Sequence, residues 1–178
     1  MVVFVSVDEK IATDVLVLRC LGLYAAGGVQ NIGGGADNQS IARARIAKTD
    51  TGKPFFENLD LSFSVSDTFG MKVVVFSRRV VGIDIEYLGR DLPQAKYDKI
   101  AKRCFTDGEY RKINSKRDFF YTWTAKEAYS KYTSLGLSSF KNFDIGNLNC
   151  GLKEIDIKKD YVCFVAGGDT QGCEVVFL

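Results

Sequence analysis

Two carboxylates lie two positions apart in an otherwise apolar run at residues 80–86. The run is rich in β-branched residues and predicts a buried strand. Because side chains alternate along a strand, Asp84 and Glu86 point to one face, while the apolar residues flanking them point to the other. Neighbouring carboxylates that lose hydration repel each other unless a cation compensates, and all-oxygen ligands suit Mg²⁺ or Mn²⁺. The pattern predicts a metal site, and an edge strand whose acidic face lies in water is the alternative.

A second group of chemically useful residues recurs every four positions. Trp123, Glu127 and Lys131 therefore form one stripe along a predicted helix. A carboxylate and an ammonium one turn apart commonly form a solvated ion pair worth about 0.3–0.5 kcal/mol, which is the alternative interpretation. Because the stripe includes the only tryptophan and lies among aromatic residues, we expect its face to be partly buried. Glu127 then supplies a third carboxylate, and Lys131 a cation, for a metal-bound polyphosphate.

The elements that must position these groups follow a strand-rich, helical, strand-rich order. Apolar alternation predicts strands at residues 2–6, 41–48, 61–66, 71–77 and 80–86, and further short strands after residue 143. Helical spacing predicts helices from residue 13 and at residues 93–103 and 118–132. Thr106 and Glu109 have the spacing of a capping box. The glycine-rich segment 27–40 is interpreted as a connection. This order predicts an α+β fold.

Composition excludes several classes of function. The 178 residues are enough for one compact domain, and the near balance of 24 basic and 22 acidic residues gives no support to general nucleic-acid binding. No apolar run approaches the about 20 residues of a membrane span. The absence of histidine excludes a histidine base or triad. Five scattered cysteines without a C-x-x-C pair argue against zinc and favour a cytoplasmic protein with free thiols.

Five short markers, in order, resemble the 4'-phosphopantetheinyl transferases of the surfactin-synthetase-activating type. The resemblance runs from Gly52 to about Gly136. The markers are Gly52-Lys53-Pro54, Phe63-Ser64-Val65-Ser66-Asp67-Thr68, Val81-Gly82-Ile83-Asp84-Ile85-Glu86, Phe105-Thr106-Asp107-Gly108-Glu109, and Trp123-Thr124-Ala125-Lys126-Glu127-Ala128 with Lys131, followed by Gly136-Leu137. Each marker is weak alone, so their order and compatible spacing carry the resemblance.

The resemblance implies both an activity and the roles of individual residues. Members of that family move the phosphopantetheine arm of coenzyme A onto a serine of an acyl, peptidyl or aryl carrier protein and release adenosine 3',5'-bisphosphate. It implies that Asp84, Glu86 and Glu127 hold Mg²⁺, for which Mn²⁺ is an alternative. It also implies that Lys131 contacts the pyrophosphate and Lys53 the nucleotide end of coenzyme A. Glu127, directly or through a metal-bound water, is the candidate base for the serine hydroxyl, and Lys131 is its catalytic partner.

Two features depart from the family pattern: one residue, and the segment before Gly52, in which the basic residues that usually hold the 3'-phosphate of coenzyme A have no clear match. Asp67 follows Ser66 where the family usually has a histidine that contacts a phosphate of coenzyme A. A carboxylate repels phosphate unless it is protonated, turned away or recruited to the metal. Ser66 and Asp67 are both candidate coenzyme A residues, and our hypothesis is that Asp67 points away from the pyrophosphate while Ser66 and main-chain N–H groups bind it.

The resemblance also implies an architecture and a set of partners. Two similar α/β subdomains, residues 1–79 and 80–178, are expected to pack as an internal pseudo-dimer of antiparallel sheets against helices. Coenzyme A and Mg²⁺ would lie in the cleft, and a monomer without membrane or nucleic-acid partners is expected. The lysine-rich segment 93–116 is expected to dock an acidic carrier protein. Which pathway is served, whether fatty-acid, polyketide or nonribosomal peptide synthesis, is left open by the sequence.

Two other functions stay open at this point. Clustered carboxylates and a lysine serve many phosphoryl reactions, so another Mg²⁺-dependent phosphate-transfer enzyme is one alternative. A carrier-binding accessory protein with lost or weak transferase activity is the other, motivated by Asp67. Clustered buried acids argue against the second alternative, because a binding module does not need them.

Overall fold

A computed structural model describes residues 1–26, 38–168 and 170–178. The strands are β1 (Val2–Ser6), β2 (Ile46–Lys48), β3 (Pro54–Phe56), β4 (Ser62–Thr68), β5 (Met71–Ser77), β6 (Val81–Tyr87), β7 (Gly151–Glu154), β8 (Tyr161–Gly167) and β9 (Glu174–Phe177). The α-helices are α1 (Thr13–Ala26), α2 (Asn38–Ala42), α3 (Gln94–Cys104), α4 (Asp107–Tyr110) and α5 (Lys116–Thr133), and 3₁₀ turns cover Leu137–Asn142 and Ile145–Asn147.

The strands form two principal sheets and one small hairpin. The first sheet has the order β4-β5-β1-β9, in which β1 is antiparallel to β5 and parallel to β9. The second has the order β6-β8-β7 and is antiparallel at both pairings. The β2–β3 hairpin pairs with neither of these sheets. Helices packed on largely antiparallel sheets confirm the predicted α+β class.

The buried apolar residues form three clusters, which lie between four layers of secondary structure. One face of the first sheet packs with α1, through Phe4, Leu16 and Phe76 among others. Its other face meets the second sheet, where Val3 and Val73 pack with Ile83. The outer face of the second sheet is covered by the aromatic residues of α3 and α5. The order of the layers, helix–sheet–sheet–helix, is the order expected of two similar halves. The pseudo-dimer symmetry itself stays a prediction.

The helices follow the sequence patterns closely, and one predicted strand is wrong in part. The capping box forms, with Thr106 as N-cap and Glu109 bonded back to it. The strand expected at residues 41–48 is confined to β2, and its first residues belong to α2. Ile41 and Ala44 both pack against the first core, and a spacing of three suits a helical turn rather than a strand. Residues 27–37, most of the predicted glycine-rich connection, lie outside the described residues.

The last strand crosses the proposed boundary between subdomains. The division between residues 79 and 80 falls between β5 and β6, yet β9 returns to pair with β1 in the first sheet. Residues 1–79 therefore build that sheet together with a C-terminal strand.

Within the part of the chain that the structure describes, there is no helix long and apolar enough to cross a bilayer.

Side chains of β4 connect the two sheets at their facing edges. Ser64 Oγ accepts a hydrogen bond from the Ile83 N–H at 3.2 Å, and Thr68 Oγ1 accepts one from the Tyr87 N–H at 3.2 Å. Between them, Ser66 Oγ donates to Asp84 Oδ1 at 2.7 Å. Alternate residues of β4 thus bond to β6 through short hydroxyl side chains, and this places β4 beside the acidic strand.

Candidate active site

Asp84 and Glu86 lie on the face of β6 that α5 covers. Their partners across β8 are Phe164 and Val162, which pack in the core beneath α5. The two acidic residues are only 6% and 9% exposed. The apolar residues of β6 face the other sheet, as the alternation predicted. Two carboxylates in this position are unusual in a protein core, because buried charges require partners.

Each carboxylate has one cationic partner and one hydroxyl partner. Lys131 Nζ lies 2.7 Å from Asp84 Oδ1, the oxygen that also accepts from Ser66. Arg90 Nη2 lies 3.0 Å from Glu86 Oε2, which Thr68 Oγ1 approaches at 3.4 Å. The site therefore contains fixed positive charge from a helix and from the end of β6.

Burial and mutual repulsion couple the acids electrostatically. Burial raises the pKa of Asp84, while the charge and hydrogen bond of Lys131 oppose the rise. Burial, and then the charge of Asp84, raise the pKa of Glu86 against the effect of Arg90. On α5, burial and the charge of Asp84 raise the pKa of Glu127 to about 7. The structure thus brings the three predicted acids into one interacting group.

A cavity lined by Glu127 joins markers that are far apart in sequence. It has a volume of about 310 Å³, and Gly52, Lys53, Glu127, Lys131 and Gly136 contribute to its lining. The β2–β3 turn, the end of α5 and the segment after α5 therefore meet at one place. Lys53, predicted to contact the nucleotide end of coenzyme A, and Lys131, predicted to contact its pyrophosphate, both line this cavity.

The glycine in the acidic strand permits the close approach of α5. A Cβ atom at Gly82 would lie 2.1 Å from the carbonyl oxygen of Ala128 and 2.4 Å from the N of Tyr132. Both contacts are far inside van der Waals distance and involve main-chain atoms. Any side chain at this position would push α5, and with it Glu127 and Lys131, away from the acidic strand.

Asp67 is the predicted site residue that does not join this group. It is exposed, whereas Ser66 and Thr68 on either side are buried and face β6. Its cross-strand neighbour is Lys72 on β5. Because side chains alternate along β4, the carboxylate of Asp67 points away from the face that carries Ser66.

Sequence reasoning missed two residues that support the site. Arg90 neutralises Glu86, and Lys126 forms a fully buried ion pair with Glu109, with 2.8 Å between Nζ and Oε2. Arg90 follows Glu86 by four residues, so the sequence itself could have indicated this ion pair. Lys126 follows the buried Phe119 by seven residues, so it falls on an apolar stripe of the helix, and a lysine there indicates a buried partner.

The donor set suits a hard divalent cation, without forming a complete cage. Among the residues that the structure describes, no three His, Cys, Asp or Glu side chains converge in a metal-holding arrangement. Mg²⁺ usually needs only one or two carboxylates, since substrate phosphates and water complete its shell. Asp84 and Glu86, buried side by side with oxygen donors only, meet that requirement, and Glu127 is electrostatically coupled to both. The residues present therefore fit Mg²⁺ or Mn²⁺.

Comparison with known proteins identifies relatives of this chain. A family model described as the 4'-phosphopantetheinyl transferase superfamily matches residues 80–170, just over half of the chain. The chain is 33% identical over 105 residues to 4'-phosphopantetheinyl transferase HetI of a Nostoc species, which covers 53% of this chain and 43% of that protein. It is 34% identical over 97 residues to the putative 4'-phosphopantetheinyl transferase slr0495 of a Synechocystis species, covering 51% and 35%.

A fungal relative extends the comparison. The chain is 34% identical over 113 residues to the L-aminoadipate-semialdehyde dehydrogenase-phosphopantetheinyl transferase of Candida glabrata, covering 57% of this chain and 42% of that protein. The matches span less than half the length of each of these relatives. The matched family segment includes β6 and α5, which carry all three acids and Lys131. The chain therefore belongs to the 4'-phosphopantetheinyl transferase superfamily.

Proposed function

We propose that this protein transfers 4'-phosphopantetheine from coenzyme A to a serine of an acyl, peptidyl or aryl carrier protein and releases adenosine 3',5'-bisphosphate. The observation that carries the proposal is the buried pair Asp84 and Glu86 beside Lys131, inside the segment that matches the family. A buried acid pair next to a lysine and an open cavity suits a substrate with a pyrophosphate group.

Asp84, Glu86 and Glu127 would hold the divalent cation. When bound, Mg²⁺ would neutralise charge on the pyrophosphate oxygens and on the leaving phosphate. Lys131 lines the cavity and reaches Asp84 from it, so its ammonium can pair with a phosphate oxygen of coenzyme A. Ser66 lies beside the same carboxylate and offers its hydroxyl to hold Asp84 in place.

Glu127 is the candidate general base. Its carboxylate borders the cavity, and in the protein without the cation burial raises its pKa to about 7, near the range that suits a general base. In the transfer, the serine oxygen forms a bond to the phosphorus that carries pantetheine, and the bond from that phosphorus to the oxygen of the adenosine-bearing phosphate breaks. The serine proton passes to Glu127, and the electron pair of the broken bond stays on the released bisphosphate.

Exposed lysines occur along α3 and in the turn after α4. Lys96, Lys99, Lys102 and Lys112 are all exposed. We propose that these lysines dock an acidic carrier protein, because complementary charge accelerates encounter and orients the partner. Reversing these four charges to glutamate should raise the KM for the carrier and leave the KM for coenzyme A unchanged; equal carrier affinity would contradict the assignment.

The transfer itself is tested by intact-mass spectrometry. Apo carrier proteins of several types are incubated with this protein, coenzyme A and Mg²⁺, with EDTA and the Asp84→Asn variant as controls. A phosphopantetheine adduct that both controls abolish supports the proposal. Coenzyme A binding without any adduct would favour the accessory protein, and absence of coenzyme A binding would overturn the proposed substrate.

A cytoplasmic location and a monomeric state stay predictions. Cell fractionation can check the location, and light scattering can check the monomeric state.

A further inference from the structure

The side chain of Lys53 contacts two other elements of the fold, and binding of the nucleotide does not explain these contacts. Lys53 follows the β2–β3 turn, whose geometry is fixed by main-chain and side-chain bonds. The Thr49 N–H donates to the Lys53 carbonyl at 2.9 Å, and the Lys53 N–H donates to Thr49 Oγ1 at 3.1 Å. Gly52 adopts a positive φ of 83°, which a residue with a side chain rarely adopts. The turn therefore sets the direction in which the Lys53 side chain leaves the backbone.

The Lys53 ammonium donates to carbonyl groups of two other elements. Its Nζ lies 2.5 Å from the carbonyl oxygen of Lys131 and 3.4 Å from that of Val81. Lys131 is in the last turn of α5, where carbonyl oxygens lack intrahelical donors and a positive charge interacts favourably with the helix dipole. Burial lowers the pKa of Lys53, and the two carbonyl acceptors offset part of that desolvation.

The two acceptors belong to the elements that carry the acid group. Val81 begins β6, which presents Asp84, and Lys131 ends the part of α5 that presents Glu127. Between them lies Gly82, where the α5 main chain approaches β6 most closely, with the Lys131 carbonyl carbon 3.0 Å from the position of a Cβ. One ammonium that holds both carbonyls therefore fixes how α5 lies on β6.

We propose that Lys53 is a positioning residue, which ties α5 to β6 and so sets the distance between Glu127 and the acid pair of β6. This role goes beyond the contact with coenzyme A that the resemblance implies, and only its kinetic test rests on the proposed transfer activity. A displacement of a catalytic group by about 1 Å costs up to about a hundredfold in rate, so loss of the tie should lower kcat.

The test compares Lys53→Met, Lys53→Arg and a matched control, Lys159→Met, which removes the same charge from an exposed turn lysine. We expect Lys53→Met to lower kcat about ten- to hundredfold with a KM for coenzyme A changed less than about threefold. Lys53→Arg keeps a cation that can donate to both carbonyls and should restore most of kcat. Lys159→Met should behave as the unmodified protein.

A second readout does not require activity. Hydrogen–deuterium exchange of the last turn of α5 and the first residues of β6 should accelerate in Lys53→Met and stay unchanged in Lys159→Met. A raised KM with unchanged kcat, or unchanged exchange in both segments, would overturn the positioning role and leave a nucleotide contact. If the unmodified protein transfers nothing, the proposed function fails, while the exchange result still decides the role of Lys53.

Discussion

The buried ion pair between Lys126 and Glu109 offers the sharpest test of what holds α5 in place. Lys126 is completely buried, and its Nζ lies 2.8 Å from Glu109 Oε2. The same ammonium donates to the carbonyl oxygens of Phe140 at 2.7 Å and Phe143 at 2.6 Å. It thereby attaches the segment after α5, which begins at the cavity with Gly136, to the helix that carries Glu127.

The cost of removing one partner can be worked from these contacts. Lys126→Met leaves the Glu109 carboxylate without its cationic partner. The carboxylate keeps two N–H donors, from Thr106 at 2.9 Å and from Ile145 at 2.9 Å. The substitution also removes a donor from the buried carbonyl oxygen of Phe140 and from the partly buried one of Phe143. Breaking a buried pair typically costs about 3–5 kcal/mol, which corresponds to about 6–20 °C in melting temperature for a domain of this size.

The assay is urea unfolding of four proteins, followed by thermal unfolding. These are the unmodified chain, Lys126→Met, Glu109→Gln and the double variant, in which no charge is left unpaired. The double variant should lose less than the sum of the single losses, because the residues form one network. The exposed pair of Arg117 and Glu154, 3.1 Å apart, supplies the control, and Arg117→Met should cost at most about 1 kcal/mol.

Two results would refute this reasoning. A loss below about 1 kcal/mol for Lys126→Met would mean that the buried Glu109 carboxylate is compensated without Lys126. Additive losses in the double variant would mean that the two side chains do not interact in the folded protein. Either result would also remove the ion pair as an explanation for how the segment after α5 is held.

Three further predictions concern the acidic strand and its neighbours. Gly82→Ala should destabilise the fold by several kcal/mol in urea unfolding, since its Cβ would meet the α5 main chain at 2.1 Å, whereas the open helical Gly22→Ala should stabilise it by about 0.5–1 kcal/mol. With EDTA present to remove divalent cations, the raised pKa of Glu127, about 7 against 4.5, should make stability fall as pH rises from about 4.5 through 7, and Glu127→Gln should flatten that part of the pH–stability curve; an identical curve would refute the shift. Ser64→Ala should cost about 1–3 kcal/mol, because it leaves a buried N–H of β6 without its acceptor, and a neutral result in urea unfolding would show that water replaces it.

Local patterns predicted the parts of the site that lie within one element. Alternation along a strand was enough to place Asp84 and Glu86 on one face, and a spacing of four placed Glu127 and Lys131 on one stripe of α5. The capping box at Thr106 was also predictable, because its two partners are three residues apart. In each case the interacting groups are close in sequence, so the geometry of a single element decides the outcome.

Contacts between distant segments could not be predicted in the same way. Nothing local shows that Glu109 pairs with Lys126, because the capping box already explained Glu109, while the ion pair depends on how α4 packs against α5. The return of β9 to the first sheet depends equally on tertiary pairing with β1. The strand expected at residues 41–48 was wrong in part because its alternation is compatible with a helical turn that packs the partly buried Ile41 and Ala44 against the first core.

The contact between the two sheets gives the buried acids polar partners. Within one sheet, main-chain hydrogen bonds between neighbouring strands occupy the edge groups of both strands. Here β4 and β6 belong to different sheets, and the hydroxyl groups of Ser64, Ser66 and Thr68 make the connections. The Ser64 and Thr68 hydroxyls accept from main-chain N–H groups on the edge of β6 that is not paired with β8, and Ser66 donates to Asp84, whose carboxylate lies on the face that α5 covers. The same row of hydroxyl groups therefore satisfies the free edge of β6 and supplies part of the polar surroundings that two buried acids require.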